Sequence, residues 1–227
     1  MSKRKQCIII GDIHGCLEEF RKLLRACKWS TDDRVILLGD LVNRGPDSLG
    51  VLKLARKIKA VCLWGNHELR LWQAKKKGTY DLLKPSEQKT FKSFTDKDWN
   101  YLSKFKPYLA IEKWNLLLVH GGFIPGKKIE DHDIHTLTHI QVIEKGGGFG
   151  KRVDYPEGKF WSDLWKGPQF VLYGHTPRPK VYQSPMGWCL DTGCVMGGKL
   201  TACVFPGKRL VQVDATKAYY RKTTIPA

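Results

Sequence analysis

The chain has 227 residues, of which 42% are hydrophobic and 27% are charged. This composition excludes a disordered chain and predicts one sizeable core in a single domain spanning 1–227. No apolar stretch approaches the ~20 residues of a membrane span, so we expect no membrane partner. The formal net charge of +17 attracts anions such as phosphate-rich partners, and a solvated basic surface explains it equally well.

The beginning of the chain is expected to form the first strand and not a secretory signal. Its apolar run covers only Cys7–Ile10, which is shorter than a signal requires. The seven cysteines are odd in number and include no CxxC pair, so neither a zinc ribbon nor a disulfide framework is indicated. We therefore expect a cytoplasmic protein.

The first half of the chain alternates between strand-like and helix-like segments. In chain order, strand and helix by turns, these segments are 6–10, 17–28, 34–38, 48–58, 61–64 and 68–77. The order βαβαβα predicts parallel strands with helices covering the sheet.

The second half is dominated by strands. A helix is expected to begin after Thr95 as its N-cap and to end before Pro107. The strand-like segments that follow are 108–112, 116–119, 170–173, 188–190, 200–205 and 210–213. They predict a second, more antiparallel sheet. The expected fold class is α/β, a sandwich of two mixed sheets flanked by helices in four layers, α/β/β/α.

Two segments lack clear periodicity. The span 124–160 is polar and rich in His, Gly and Lys, which predicts a cap or lid beside the site. The end, 214–227, is expected to be a short basic tail with little order.

Two patterns inside the cap segment imitate functional motifs. His132, His135 and His139 have helical spacing, but no Glu completes an HExxH zinc pattern, so we interpret them as a polar lid face. The run GGGFG at 146–150 lacks the Gly-Lys-Ser/Thr ending of a phosphate-binding loop and is interpreted as a hinge.

Five glycine-punctuated blocks place polar side chains where strands end. They are GDIHG (11–15), GDLVNRG (39–45), GNHE (65–68), HGG (120–122) and GHTP (174–177). One such Asp is normally a turn or helix cap, but five blocks in one chain predict a shared site, because the ends of parallel strands line up at one sheet edge. The candidate ligands are Asp12, His14, Asp40, Asn66, His120 and His175.

These candidates offer oxygen and nitrogen donors without thiolate. Such a set favours two divalent metal ions, Mn²⁺ first, with iron, zinc or magnesium as alternatives. Arg44 lies in a Gly-Pro turn where its guanidinium could fork onto phosphate oxygens. His67 adjoins Asn66 and suits a general acid that protonates the departing oxygen.

With these residues in hand, the chain resembles the phosphoprotein-phosphatase branch of the calcineurin-like metallophosphoesterases. Within that branch it is most similar to the symmetrical diadenosine tetraphosphatases and the ApaH-like phosphatases. The motifs that carry this similarity are GDLVNRGPDS (39–48) and LDTGCVMGGKLT (190–201).

The resemblance implies a β-sandwich with helices outside and a role for each candidate residue. By similarity, the first metal is held by Asp12, His14 and Asp40. The second is held by Asp40, Asn66, His120 and His175. Catalysis and phosphate binding fall to Arg44, Asn66 and His67, with His67 as the acid.

Asn43 departs from one part of the branch. Serine/threonine protein phosphatases carry Asp at this place, where its charge supports the catalytic histidine. An amide cannot raise the pKa of a histidine in the same way. Asn43 therefore favours a tetraphosphatase over a protein phosphatase.

The expected activity is hydrolysis of a phosphoanhydride or phosphoester bond by metal-bound hydroxide. The expected substrates are nucleoside polyphosphates of the diadenosine tetraphosphate type or the capped 5′ end of an RNA. The first alternative is a serine/threonine phosphoprotein phosphatase acting on a phosphoprotein. A second alternative, from another class, is a non-catalytic basic module that binds nucleic acid, although no nucleic-acid-binding signature is present.

Overall fold

The computed structural model describes residues 5–221. Within this range the strands are β1 (Cys7–Ile10), β2 (Arg34–Leu37), β3 (Val61–Cys62), β4 (Tyr108–Ile111), β5 (Leu116–Val119), β6 (Val142–Ile143), β7 (Phe149–Gly150), β8 (Lys159–Phe160), β9 (Phe170–Tyr173), β10 (Tyr182–Ser184), β11 (Gly187–Cys189), β12 (Lys199–Phe205) and β13 (Arg209–Asp214). The helices are α1 (Leu17–Ala26), α2 (Ser48–Lys57), α3 (Asn66–Lys77), α4 (Pro85–Ser93), α5 (Asp96–Leu102), α6 (Ile134–His139) and α7 (Trp161–Leu164). Short 3₁₀ turns lie at Tyr80–Leu82, Glu112–Trp114 and Ile129–Asp131.

Two five-stranded sheets form the body of the molecule. The first has the order β13-β12-β1-β2-β3 and the second the order β10-β11-β9-β5-β4. As predicted, β1, β2 and β3 run parallel. In the second sheet β11, β9 and β5 are also parallel, while β4 and β10 pair antiparallel at the edges. The expected sandwich of two mixed sheets is confirmed.

The last two strands lie in the other sheet from the one expected. β12 pairs antiparallel with β1, and β13 pairs antiparallel with β12. The assignment of 200–205 and 210–213 to the second sheet was therefore wrong. A strand pattern reveals that a segment is extended and buried, but the partner strand is chosen by packing across the whole fold.

Alternating side chains divide the core into layers. On β1, Ile8 and Ile10 pack against the outer helices, whereas Cys7 and Ile9 face the space between the two sheets. A third apolar cluster joins the second sheet to α6 and α7 through residues such as Trp161. The layers therefore follow the order helix, sheet, sheet, helix.

The cap segment 124–160 has more regular structure than its sequence indicates. It contains α6 and all of a three-stranded sheet of order β7-β6-β8. The first three glycines of the run 146–150 lie in the turn between β6 and β7, and its last two residues form β7 itself. The N–H of Glu144 donates to the carbonyl oxygen of Gly148 across this turn at 2.7 Å.

The tail was expected to have little order, but its described part packs on the fold. Glu19 of α1 is fully buried and accepts hydrogen bonds from the Thr216 N–H at 2.9 Å and the Tyr219 hydroxyl at 3.0 Å. The Tyr220 N–H donates to the Val195 carbonyl at 2.9 Å. Residues 222–227 of the predicted tail lie outside the described residues.

Across residues 5–221, no helix combines the length and apolarity that crossing a bilayer requires. All seven cysteines are free thiols in the interior.

Candidate metal centre

Five strands end at the same place in the molecule. Asp12, Asp40, Asn66, His120 and His175 follow the carboxyl ends of β1, β2, β3, β5 and β9. A cavity of about 600 Å³ opens there, and its wall includes Asp12, Asp40, Asn66 and His175. Residues up to 163 positions apart in the sequence thus share one cavity, at the sheet edge where α/β folds place ligands.

The backbone around this cavity is held in an unfavourable conformation. Among the nine described non-glycine residues with positive φ, five belong to the site: His14, Asp40, Asn43, Arg44 and His175, with φ between 47° and 68°. Left-handed backbone costs a non-glycine residue on the order of 1 kcal/mol or more. Such strain concentrated at one place is typical of a functional site.

Two glycines of the motifs are required because their backbone lies too close to Asp40 and Asp12 to leave room for a side chain. A Cβ on Gly65 would lie 2.2 Å from the Asp40 nitrogen and 2.3 Å from its Oδ1. A Cβ on Gly174 would lie 2.1 Å from Oδ1 of Asp12. Any side chain at these positions would displace a carboxylate of the site, which explains the glycine before Asn66 and the glycine before His175.

Glu68 fixes the loop that carries Asp40, a role that sequence reasoning missed. Its side chain is completely buried, and its carboxylate accepts the N–H groups of Asp40 at 2.9 Å, Leu41 at 2.7 Å, Val42 at 3.0 Å and Gly65 at 3.2 Å. The sequence signal was the glutamate three residues after Gly65, the spacing of a capping box at the start of α3.

Backbone carbonyls orient three histidines. Nδ1 of His14 lies 3.0 Å from the Val42 oxygen, and Nδ1 of His120 lies 2.8 Å from the Leu38 oxygen. For His175 it is Nε2 that faces a carbonyl, that of His139, at 3.1 Å. Because a carbonyl only accepts, each of these nitrogens carries the proton, and the other ring nitrogen presents its lone pair.

Those lone pairs point at oxygens that cannot donate. Nδ1 of His175 lies 2.9 Å from Oδ1 of Asn66, and Nε2 of His120 lies 3.2 Å from the same oxygen. Nε2 of His120 and Nε2 of His14 each lie 3.4 Å from a carboxylate oxygen of Asp40. Acceptors that converge on acceptors need positive charge between them, so the donor set around Asn66 and Asp40 fits divalent metal ions. At His14 the Arg44 guanidinium, 2.9 Å from Nε2, supplies part of that charge.

The electrostatics of the cavity agree with this fit. Burial alone would lower the pKa of His120, but the charges of Asp40 and Asp12 outweigh burial and raise it to about 10. Burial would raise the pKa of Asp40, yet the surrounding histidines, His120 first, hold it well below its usual value. Burial lowers the pKa of His14 to about 4 and that of His175 to about 3. The negative field therefore holds a proton on His120, which a bound cation would replace, while His14 and His175 are neutral imidazoles, the form that binds metals.

Among residues 5–221, two groups of donors are close enough to share an ion. One contains His14, Asp40 and His67, and the other contains Asp40, His120 and His175, each with donor atoms within 4.8 Å of one another. Asp40 belongs to both groups, as a bridging ligand would. Asp12 lies outside both, although its oxygens accept the His175 N–H at 3.2 Å. His67, which was expected to act as an acid and not as a ligand, has a ring nitrogen within 4.8 Å of a carboxylate oxygen of Asp40.

Arg44 and His67 lie beside these groups. Nη1 of Arg44 is 2.9 Å from Nε2 of His14, and the guanidinium carbon is 5.2 Å from the centre of the Tyr220 ring. Nδ1 of His67 is 3.0 Å from the side-chain nitrogen of Asn43. Asn43 thus still contacts this ring, although it lacks the charge of an aspartate.

Several residues on the cavity wall were not singled out from the sequence. Asp191 is buried, lines the cavity and lies in the block 190–201, and burial raises its pKa to about 6. The cap contributes Gln141, Lys151 and Arg152, and the tail contributes Tyr220. Asp191 lay in a recognised motif and the three cap residues lay in the segment predicted to flank the site, whereas Tyr220 had no sequence signal.

The cap histidines take no place among the candidate ligands. The rings of His135 and His139 stack with their centres 4.0 Å apart. Only the backbone carbonyl of His139 contributes to the site, through His175.

Comparison with known proteins shows the family to which the chain belongs. A family model described as calcineurin-like phosphoesterase matches residues 6–211. An asymmetrical bis(5′-nucleosyl)-tetraphosphatase PrpE of Oceanobacillus iheyensis is 31% identical to this chain over 236 residues, which cover 93% of each protein. A symmetrical bis(5′-nucleosyl)-tetraphosphatase of Nitrosospira multiformis is 35% identical over 262 residues, covering 90% of this chain and 94% of the relative.

Two further matches complete the comparison. Serine/threonine-protein phosphatase 1 of Salmonella typhimurium is 29% identical over 202 residues, covering 85% of this chain and 88% of the relative. A crystal structure described as a candidate diadenosine tetraphosphatase superposes with a TM-score of 0.83 at 32% identity and covers 94% of this chain and 95% of its own. The resemblance read from the motifs is thus confirmed. The chain belongs to the calcineurin-like phosphoesterase family.

Proposed function

We propose that the protein is a metal-dependent phosphohydrolase that cleaves phosphoanhydride or phosphoester bonds of nucleoside polyphosphates. The observation that carries this proposal is the meeting of Asp12, Asp40, Asn66 and His175 in one cavity with Arg44. A binding protein would need none of this arrangement. The non-catalytic nucleic-acid module therefore ranks last among the candidate functions.

The residues present divide between two ions. Asp12, His14 and Asp40 would hold the first, and Asp40, Asn66, His120 and His175 the second. Bound divalent cations, Mn²⁺ first and iron, zinc or magnesium as alternatives, would supply Lewis-acid charge to the phosphoryl oxygens. His67 stays outside this assignment because its contact with Asn43 suits proton transfer.

Arg44 is the candidate phosphate clamp. Its guanidinium lines the large cavity and can offer two parallel N–H groups to phosphate oxygens. Negative charge that develops on the phosphoryl group during displacement would be balanced there.

His67 is the candidate acid, and Asn43 positions its ring. A protonated imidazole carries N–H groups at both nitrogens, so it requires the carbonyl oxygen of Asn43 to face Nδ1. As placed, the amide nitrogen faces Nδ1, and Oδ1 of Asn43 is buried without a hydrogen-bond partner. A 180° turn of the amide pairs that oxygen with the ring and leaves Nε2 free to give its proton to the leaving oxygen.

The substrate proposal is the diadenosine tetraphosphate type. Two relatives that share about a third of their sequence with this chain are named for such substrates, and Lys151 and Arg152 add positive charge to the cavity wall. A capped RNA 5′ end has the same polyphosphate chemistry. A phosphoprotein is the second candidate, because a relative is named a serine/threonine-protein phosphatase.

The proposal extends to organisation and location. We propose that residues 1–227 form one domain and that segment 124–160 acts as a cap beside the large cavity. Four residues of this segment help to line that cavity. A cytoplasmic location is supported by seven unpaired interior thiols.

Activity on a generic aryl phosphate in the presence of Mn²⁺ tests the proposal. Chelator should abolish turnover, and Asp40→Asn should lower kcat by about a thousandfold or more, because the bridging charge is lost. The control is Asp32→Asn, the same change at an exposed position, which should leave kcat unaltered. Turnover that survives both the chelator and Asp40→Asn would refute the metal-dependent mechanism.

The substrate class is tested by comparing kcat/KM for diadenosine tetraphosphate, a capped RNA and a phosphopeptide. We expect the dinucleotide to rank first. A phosphopeptide that wins by about tenfold, or about 1.4 kcal/mol in transition-state stabilisation, would reverse the order of the two substrate proposals.

A further inference from the structure

A second cavity adjoins the metal centre. It has a volume of about 150 Å³, and Arg44, Asn66, Lys151 and Tyr220 line both cavities. His67 and Asn43 lie on the wall of the small cavity only. The candidate acid, His67, therefore faces the small cavity and not the large one.

Positive charge dominates this cavity. The cations on its wall are Arg44 of the β2–α2 loop, Arg70 of α3, Lys84 before α4 and Lys151 of the cap. Glu87 is the one carboxylate among the described lining residues, so the balance is four cations against one anion, or +3. By contrast, the large cavity sets the carboxylates of Asp12, Asp40 and Asp191 against three cations, Arg44, Lys151 and Arg152, so its lining has no excess of positive charge.

The single carboxylate is already satisfied. Glu87 is buried, its Oε2 lies 3.3 Å from Nε of Arg70, and the same oxygen accepts the Lys84 N–H at 2.9 Å. Within the described part of the chain, no carboxylate forms an ion pair with the amine of Lys84 or Lys151. These two amines therefore remain available to an external anion.

The first turn of α4 adds to the positive potential in the small cavity. Lys84 and Ser86 on the cavity wall flank Pro85, the first residue of this nine-residue helix. N–H groups in the first turn of a helix have no partner within it and carry partial positive charge. Pro85 has no N–H and the Lys84 N–H is accepted by Glu87, so the donors that remain here are the first-turn N–H groups after Pro85 and the hydroxyl of Ser86, groups of the kind that bind phosphate.

We propose that this cavity is a second phosphate subsite, which binds phosphate carried by the leaving group. This inference rests on the proposed function, since it takes His67 as the acid for the leaving oxygen. A leaving nucleotide carries its own phosphates beyond the scissile bond and places them among Arg70, Lys84 and Lys151. The serine left by a phosphoprotein carries no charge there. The subsite therefore selects polyphosphate chains over phosphoproteins.

Lys84→Met is the test variant, because it removes one amine and keeps the backbone N–H that Glu87 accepts. The measurement is competitive inhibition of aryl phosphate turnover by inorganic tripolyphosphate and by orthophosphate, at fixed free Mn²⁺. We expect the inhibition constant for tripolyphosphate to rise about fivefold, the loss of one charge-assisted contact, with a smaller rise for orthophosphate. The control is Lys77→Met, the same charge change about 10 Å further along α3 from Arg70, which should move neither constant.

Two outcomes would overturn the subsite. One is a tripolyphosphate constant that Lys84→Met does not change, and the other is an equal rise for both anions in both variants, which would indicate general charge only. A protein that turns over no aryl phosphate would refute the proposed function instead. The subsite would then be decided by calorimetric titration of tripolyphosphate into wild type, Lys84→Met and Lys77→Met, with weaker binding expected in Lys84→Met alone.

Discussion

The metal centre differs in construction from the cationic rim beside it, which is the part of the small cavity's wall formed by Arg44, Arg70, Lys84 and Lys151. Arg44 also lines the large cavity. At the centre, Asp40, His14 and His120 are at most 3% exposed, and each is fixed by hydrogen bonds to backbone. At the rim, Lys84 and Lys151 are exposed. Val153, also on the wall of the large cavity, is 81% exposed.

This difference indicates that the centre carries out bond cleavage and that the rim discriminates between substrates. Buried ligands with one allowed geometry serve every substrate, because all substrates share the phosphoryl group. Exposed amines on flexible stems contribute little each, typically less than about 1 kcal/mol, and they act only on a substrate whose charge reaches them. Changes at the centre should therefore affect all substrates alike, and changes at the rim should depend on the substrate.

Among changes to residues that are not candidate ligands, Glu68→Gln should show the largest effect on the centre. Glutamine keeps one acceptor oxygen but turns its NH₂ group toward two of the four N–H groups that the carboxylate accepts. Buried donors left unpaired cost about 1–3 kcal/mol each, so we expect the free energy of unfolding to fall by about 3 kcal/mol. The kcat should fall about 100-fold on aryl phosphate and on diadenosine tetraphosphate alike, as measured by denaturant titration and steady-state kinetics.

Glu18→Gln is the matched control, because Glu18 is exposed on α1 with only an ion pair to Arg21. It should change the free energy of unfolding by less than about 0.5 kcal/mol. If Glu68→Gln impaired turnover of one substrate and spared the other, the separation between centre and rim would fail.

Asn43→Gly should show an intermediate effect. Glycine adopts the φ of 68° at this position without strain, so the change removes the amide next to His67 and preserves the loop. We expect kcat to fall about 10- to 100-fold with little change in KM, since the ring is no longer oriented. A rise in KM with unchanged kcat would place Asn43 in substrate binding instead of ring positioning.

Tyr220→Ala should show the smallest effect. The Tyr220 ring lies 5.2 Å from the guanidinium carbon of Arg44, and such a cation–π contact contributes about 0.5–1 kcal/mol. We expect kcat/KM to fall about three- to fivefold, and Tyr220→Phe, which retains the ring, to restore most of it. Equal losses in both variants would show that the hydroxyl, not the ring, supports the site.

Much of the centre could be predicted because its residues sit in local patterns. Asp12, Asp40 and Asn66 follow parallel strands, and His120 and His175 follow two more, so chain order alone indicated a common edge. The role of Glu68 escaped because its partners lie 26 to 28 residues earlier, on the loop after β2. The pairing of β12 with β1 escaped for a similar reason, since the hydrophobic pattern of a strand does not name its neighbour.

The amino-acid order by itself determined most of the extended and helical segments outside the cap, the glycines that let backbone approach Asp12 and Asp40, and the candidate donors for metal. Only the tertiary structure decided which sheet received the last strands, how Glu19 holds the tail that carries Tyr220, and where Arg70, Lys84 and Lys151 meet. The physical reason is the distance along the chain over which each interaction acts. Turn, cap and periodicity preferences act over a few residues, whereas charge and packing act between segments that only the completed fold brings together.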